Sequence, residues 1–215
     1  MSKKTMMLAL AVASVTMFAL PSTASAQEIH LEGVTSSSGT AGATSLTAEG
    51  EPVITCESGH WSLSVQAGGT TGSITFHYTG CHTTVFGITS KCRTSGSALD
   101  NTIHFSATWH LNTISSGVPG ILDTPVVTTI VCAGITNTIT GGNIIGTITS
   151  PACGTESTEM TTSFTATGSV QNHKTYTGTT YNLTAKTGES GTVKAAGLVS
   201  TATTKSATKG KLNCT

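Results

Sequence analysis

The sequence predicts an all-β protein, an antiparallel β-sandwich with a barrel as the second choice, stapled by disulfides behind a cleaved signal peptide. Three observations carry that expectation. Apolar residues alternate with Ser and Thr along much of the chain, the period-two signature of a half-buried strand. Six cysteines form an even set without any C-x-x-C pair. A basic start, an apolar run and a small-residue cleavage pattern open the chain.

Lys3 and Lys4 precede the apolar run Met6–Leu20, Pro21 breaks it, and Ala24-Ser25-Ala26 supplies the cleavage pattern. Residues 1–26 therefore read as the signal, with Gln27 as the mature start. The run is shorter than the ~20 residues a bilayer requires. No later stretch is apolar enough to span one, so no membrane span is predicted in the mature chain. Residues 27–215 read as a single β domain, because no Pro-rich or charged linker divides them. Within it, 27–50 reads as a loose lead-in, rich in Ser, Thr, Ala and Gly from Thr35 onward.

The strands follow in order. Trp61, Leu63 and Val65 share one face; Ile74, Phe76 and Tyr78 share another. Ile103, Phe105, Ala107, Trp109 and Leu111 alternate with His104, Ser106, Thr108 and His110. Further strands are expected at Val126–Cys132, Ile135–Thr140, Ile144–Thr149, Met160–Ala166, Thr180–Ala185 and Thr192–Val199. Thr suits the outer face, because its branched Cβ favours extended backbone while its hydroxyl meets water. Turn signals separate the runs, among them Gly80, Ser95-Gly96, Gly141-Gly142-Asn143, Ser150-Pro151 and Gly188.

The cysteines read as staples. A zinc site or a redox motif needs a short Cys pair, and the closest two here, Cys81 and Cys92, stand eleven positions apart. Disulfides fit an oxidising, extracellular compartment. Of fifteen possible connectivities, the expected one is Cys81–Cys92 across a hairpin, Cys132–Cys153 around the Gly141 turn, and Cys56–Cys214 joining the ends.

Charge excludes a class of partner. Without Lys3 and Lys4 the chain carries eight basic and ten acidic side chains, and its one arginine is Arg93. Neutralising phosphates takes several clustered Lys and Arg, so nucleic acid is not an expected partner. Glu28, Glu32, Glu49, Glu51 and Glu57 come early, whereas Lys174, Lys186, Lys194, Lys205, Lys209 and Lys211 come late. Opposite signs at the two ends favour pairing of terminal strands, or solubilise two surfaces.

No catalytic constellation stands out, no cofactor and no metal are predicted. His104 and His110 share a face but lie about 20 Å apart along a strand, and a site combining His77, His82 and His60 lacks an acid to complete it. Gly188-Glu189-Ser190-Gly191 resembles the nucleophile loop of trypsin-like serine proteases. That resemblance implies Ser190 as nucleophile, with His82 as base. The segment Thr79-Gly80-Cys81-His82-Thr83 departs from that family's pattern, its Cys and His being transposed. Glu156 and Glu159 sit near Cys153 in a loop-like stretch, where solvation is the simpler role. Trp61 and Trp109 alternate in step with core residues, so neither reads as a sugar-stacking platform. The polar segment Gln171, Asn172, His173, Lys174 and Tyr176 gathers amide, imidazole, ammonium and phenol groups and is the expected binding region. Tyr176 and Tyr181 would serve a glycan. A surface glycan or a protein is the partner such a region suits.

With its Lys-start signal, its Thr/Gly-rich β sequence and segments such as Tyr78-Thr79-Gly80-Cys81 and Leu212-Asn213-Cys214-Thr215, the chain resembles secreted, cysteine-containing proteins of actinobacterial type. The resemblance implies an extracellular location and brings no activity with it. The function expected is a secreted, non-enzymatic role, structural or binding, at the cell surface or in the medium. A serine hydrolase using Ser190 and a glycan-binding module are the alternatives.

Overall fold

The computed structural model describes residues 28–115, 118–175, 177–188 and 191–214. The signal segment, Tyr176 and Ser190 thus lie outside the described residues. The described chain is all strand and turn. In order, the strands are Ile29–Glu32 (β1), Ser36–Ala41 (β2), Thr44–Ala48 (β3), Ile54–Cys56 (β4), Ser58–Val65 (β5) and Thr71–Thr79 (β6). Then come His82–Val85 (β7), Ile88–Thr94 (β8), Thr102–Ser115 (β9), Val118–Pro125 (β10), Thr128–Cys132 (β11) and Ile135–Gly142 (β12). The last are Ile144–Ser150 (β13), Glu156–Phe164 (β14), Ala166–Thr167 (β15), Val170–Gln171 (β16), Leu183–Thr187 (β17) and Lys194–Cys214 (β18).

Antiparallel pairing closes twice. One ring runs β2-β5-β6-β9-β10-β13-β14-β18 and returns to β2. The other runs β3-β4-β7-β8-β11-β12-β17-β18 and returns to β3. Neighbouring members of the two rings are consecutive in the chain, broken by as little as Glu57 between β4 and β5 or Asn143 between β12 and β13, except β14 and β17, which the β15–β16 hairpin separates. The rings are therefore stacked end to end as an eight-stave meander barrel whose staves are interrupted at a waist. Only β18 passes the waist unbroken.

The sandwich expectation is corrected on this point: the sheet closes on itself and leaves no pair of open edges. The lead-in expectation is corrected too, since residues 36–48 supply β2 and β3, which close both rings against β18. Early acids and late lysines meet there. Glu51 and Lys194 are 3.1 Å apart, and Glu32 stands opposite Lys211 in register. Gly141-Gly142-Asn143 is not a hairpin turn but the waist of one stave.

Eight strands enclose an interior just wide enough for side chains to fill. The inward residues of β5, β6 and β9 are those the alternation selects, Trp61, Leu63, Ile74, Phe76, Tyr78, Ile103 and Trp109 among them. They belong to one buried cluster that continues into Ile130, Ile139, Leu183 and Leu198 of the second ring. The outward residues are Ser, Thr and His, the reverse of a lipid-embedded barrel with its apolar outer band. Hydroxyls on this face pair across strands, Ser58 with Thr79 and Ser64 with Ser73, each at 2.8 Å. Large aromatics face glycines on the neighbouring stave: Trp61 stands opposite Gly39 and Trp109 opposite Gly72. A Cβ on Gly39 would lie 2.3 Å from the Trp61 ring.

The disulfides are Cys56–Cys81, Cys92–Cys132 and Cys153–Cys214. All three expected pairings are corrected. Register places Cys56 of β4, Cys81 just before β7, Cys92 of β8 and Cys132 of β11 in one interior row. Cys81 and Cys92 are neighbours in it, but the Cys92 amide donates to the Cys81 carbonyl at 2.9 Å. Hydrogen-bonded antiparallel pairs hold their Cα atoms about 5.5 Å apart, against about 4.5 Å for the alternate pairs. The bonded couples take the close spacing, with Cα–Cα of 3.9 and 4.2 Å. Cys132–Cys153 fails because β12 and β13 form one stave, which carries Cys153 to the far end of the barrel. Cys214 sits at that same far end, eight strand residues of β5 away from Cys56, and joins Cys153 there.

Candidate binding surface

One end of the barrel is capped by four connections: β3–β4, β7–β8, β11–β12 and β17–β18. Two are two-residue hairpin turns, Phe86-Gly87 and Ala133-Gly134. Both residues of each have positive φ (Phe86 +49°, Gly87 +79°, Ala133 +50°, Gly134 +81°), the requirement of a type I′ turn. Asn, Asp and Gly suit the first position of that turn, and a bulky side chain there costs about 1–3 kcal/mol. Phe86 nevertheless occupies it, fully exposed at 101%. Ile88 and Ile135, which line the same cleft, are exposed as well, as are Val53 and Val193 elsewhere in these connections.

Between these tips lies a cleft of about 300 Å³, walled by Glu51, Pro52, Val85, Phe86, Ile88 and Ile135. Three of its polar groups are committed internally. Glu51 pairs with Lys194, the Thr83 hydroxyl donates to the Val53 carbonyl at 2.9 Å, and the Thr187 hydroxyl donates to Asn137 Oδ1 at 2.8 Å. A largely apolar cleft whose charged and threonine groups are already paired accepts apolar matter at little polar cost.

A second feature lies inside. Asp123 of β10 is 2% exposed, and its Oδ1 has no hydrogen-bond partner. It borders an apolar chamber at the waist with Tyr78, Phe105, Ile130, Ile139 and Leu198. Burial pushes its carboxyl up to about 7, since a charge in an apolar surrounding forfeits hydration. Burial also raises the Tyr78 phenol, with the Asp123 charge adding to it. By contrast Thr44 and Ser200, buried nearby, satisfy one another at 3.0 Å.

Within the expected binding segment Gln171 is buried, His173 is half-buried, and Asn172 and Lys174 are exposed. With the Gln171 side-chain amide turned so that both ends are satisfied, the nitrogen donates to the Thr165 and Leu198 carbonyls at 2.7 and 3.1 Å and the oxygen accepts from the Leu198 N–H at 3.2 Å. The β15–β16 hairpin lies against β18, where Gly197 leaves room for it: a Cβ there would meet that of Ala166 at 2.8 Å. Asn172 Oδ1 accepts from Thr167, and His173 Nε2 stands 3.1 Å from both Thr147 and Thr165 hydroxyls. Lys174 makes a bridge to Thr180, and Tyr181 is half-buried.

His82 opens β7 with its Nδ1 3.0 Å from the Gly80 carbonyl. β4 and β3 separate that strand from β18, and Ser190, the expected nucleophile, lies outside the described residues. Glu159 pairs with Lys205 at 2.8 Å on the surface. Among the described residues no group of three or more His, Cys, Asp or Glu is arranged to hold a metal ion.

Sequence reasoning missed the apolar end. Phe86-Gly87 carries no Asn-Gly or Asp-Gly signal, so its hairpin escaped notice. The isolated Phe86 between Thr83-Thr84-Val85 and Gly87-Ile88 was the available clue. Comparison of the chain with protein-family models, curated proteins and solved structures finds no match.

Proposed function

We propose that this is an exported, non-catalytic binding protein that acts at the cell surface or in the medium and takes up apolar acyl chains at the Phe86 end of its barrel. One observation carries the reading: a fully exposed phenylalanine holds a backbone conformation that disfavours it, at the tip of a barrel whose β5–β6 wall is coated with hydroxyls. Burying such a side chain is worth about 1.5–3 kcal/mol, a gain the free protein leaves unused. Three disulfides fit the oxidising setting in which an exported protein works. The flanking Ile88 and Ile135 widen the contact, and the cleft between the tips is at the lower end of the size range of small-molecule sites.

A Phe86→Trp variant tests it, because Trp61 and Trp109 are buried and leave the new indole as the responsive one. Mixed with phosphatidylcholine vesicles or a free long-chain fatty acid, its emission should shift to the blue. A response to fatty acid alone assigns the chain to the cleft, and a response to vesicles alone assigns the tips to a bilayer surface. Emission that stays unchanged with both overturns the reading.

A further inference from the structure

The pairing register sets three histidines side by side on the outer wall. His60 of β5 stands opposite His77 of β6, which stands opposite His104 of β9. The rings of His60 and His77 stack at 5.1 Å with 3° between planes, and those of His77 and His104 at 5.9 Å with 25°. Seventeen and twenty-seven positions separate them in sequence, so only the closed sheet brings them together. No ring nitrogen of the three has a hydrogen-bond partner among the described residues. The surrounding wall offers hydroxyls but no carboxylate on these strands: Ser62, Thr75 and Ser106 flank the row on one side, Ser58, Thr79 and Thr102 on the other.

We infer that this row binds a divalent transition-metal ion through a cross-strand pair of imidazoles, His77 with either His60 or His104, water completing the shell. Directly opposite residues hold their Cβ atoms about 4.5–5.5 Å apart. Rotation of two outward-facing rings about χ2 then brings a nitrogen of each toward one ion at the ~2.0–2.1 Å of a metal–imidazole bond. The strands fix the spacing, so little ordering is left to binding. Three histidines do not converge on one point, which makes the unit a pair and His77 the member common to both pairs. Imidazole ligands without carboxylates favour Cu²⁺, Ni²⁺ and Zn²⁺ over Mg²⁺ or Ca²⁺, and Cu²⁺ stands highest in the affinity order. This inference is independent of the apolar end.

The test is a calorimetric and spin-resonance titration of the mature protein with Cu²⁺ alone. The expected result is one saturable site whose spectrum carries two imidazole nitrogens, with Mg²⁺ giving none. His77→Ala should weaken Cu²⁺ at least tenfold, because it removes both pairs. His60→Ala and His104→Ala should each weaken it only a few-fold, and together as much as His77→Ala. These side chains face outward, and an unchanged circular dichroism spectrum verifies that each variant folds. Absence of a saturable site overturns the inference. So does Cu²⁺ affinity that survives His77→Ala, which would place the ion at His30, His82, His110 or His173.

Discussion

The two ends of the barrel follow opposite rules. At one, β1 lies along the last residues of β18, the Leu31 amide donates to the Gly69 carbonyl at 2.9 Å, and Cys153–Cys214 fastens the β13–β14 turn to the final strand. Apolar side chains such as Leu212 and Ile29 are buried beneath that cover. At the other end, tight turns hold Phe86, Ile88 and Ile135 out in solvent. The interior repeats the contrast. Both tryptophans belong to the covered ring, packed on glycines, and the Trp109 Nε1–H donates to the Ser64 carbonyl at 3.1 Å. The unpaired Asp123 stands at the waist, where that packing gives way to the chamber shared with the open ring. The tryptophan–glycine packing and the β1 cover thus lie at the end opposite the strained Phe86 turn, with unpaired Asp123 between them, while Cys56–Cys81 and Cys92–Cys132 staple the open ring.

Asp123 should give the largest effect. Its folded-state value, about 7, lies above the unfolded 3.8, so the native protein keeps a proton that the unfolded chain releases between those values. Stability from this group therefore falls as pH rises from about 4 to about 7. At about 1.4 kcal/mol per unit the loss reaches about 4 kcal/mol. Asp123→Asn should match the parent in chemical denaturation at pH 4 and exceed it at pH 8. Equal pH slopes for the two proteins would remove Asp123 as a weak point.

Next is the staple of the covered end. Replacing Cys153 and Cys214 together by Ala should cost about 3 kcal/mol, read as a lower denaturation midpoint, while the acyl-chain response at Phe86 stays intact. Loss of that response would show that the two ends are coupled rather than separately built.

A single methyl at the covered end comes third. Gly72→Ala would put its Cβ 1.9 Å from the Ser64 carbonyl and 2.7 Å from Trp109 Nε1. Overpacking of that kind costs about 2 kcal/mol, and thermal unfolding of the variant checks it. A neutral outcome would mean that the covered ring is looser than its contacts indicate.

What the sequence made legible follows from the same asymmetry. The covered ring's β5, β6 and β9 alternate large apolar residues with Ser, Thr and His, so period two is plain and Trp61 and Trp109 read correctly as core. The later part of β18 hides the pattern, because Ser200, Ala202 and Thr204 are its inward residues and look no different from its outward Thr201 and Thr203. That strand, with β2 and β3, is what closes the barrel, which explains why closure could not be read. Composition fixed that the cysteines are staples, whereas their partners depend on which cross-strand positions are hydrogen-bonded. The His60–His77–His104 row is equally a product of register. Gln171 misled because a buried amide and a binding amide are the same residue until burial is known.

The smallest effect bears most directly on the open end. If Phe86 were retained for stability, replacing it by Asn would weaken the fold. The backbone argues otherwise: its +49° φ at the first position of a type I′ turn is a conformation Asn adopts readily and Phe does not. No packing is forfeited, since the side chain touches nothing that shields it from water. Phe86→Asn should therefore stabilise the protein by up to about 1 kcal/mol, near the lower bound for left-handed strain. The same change should abolish the response to acyl chains, scored by vesicle co-sedimentation and fatty-acid binding. A residue whose removal strengthens the fold and ends binding is there for the ligand; a destabilised Phe86→Asn protein would instead make the tip part of the scaffold.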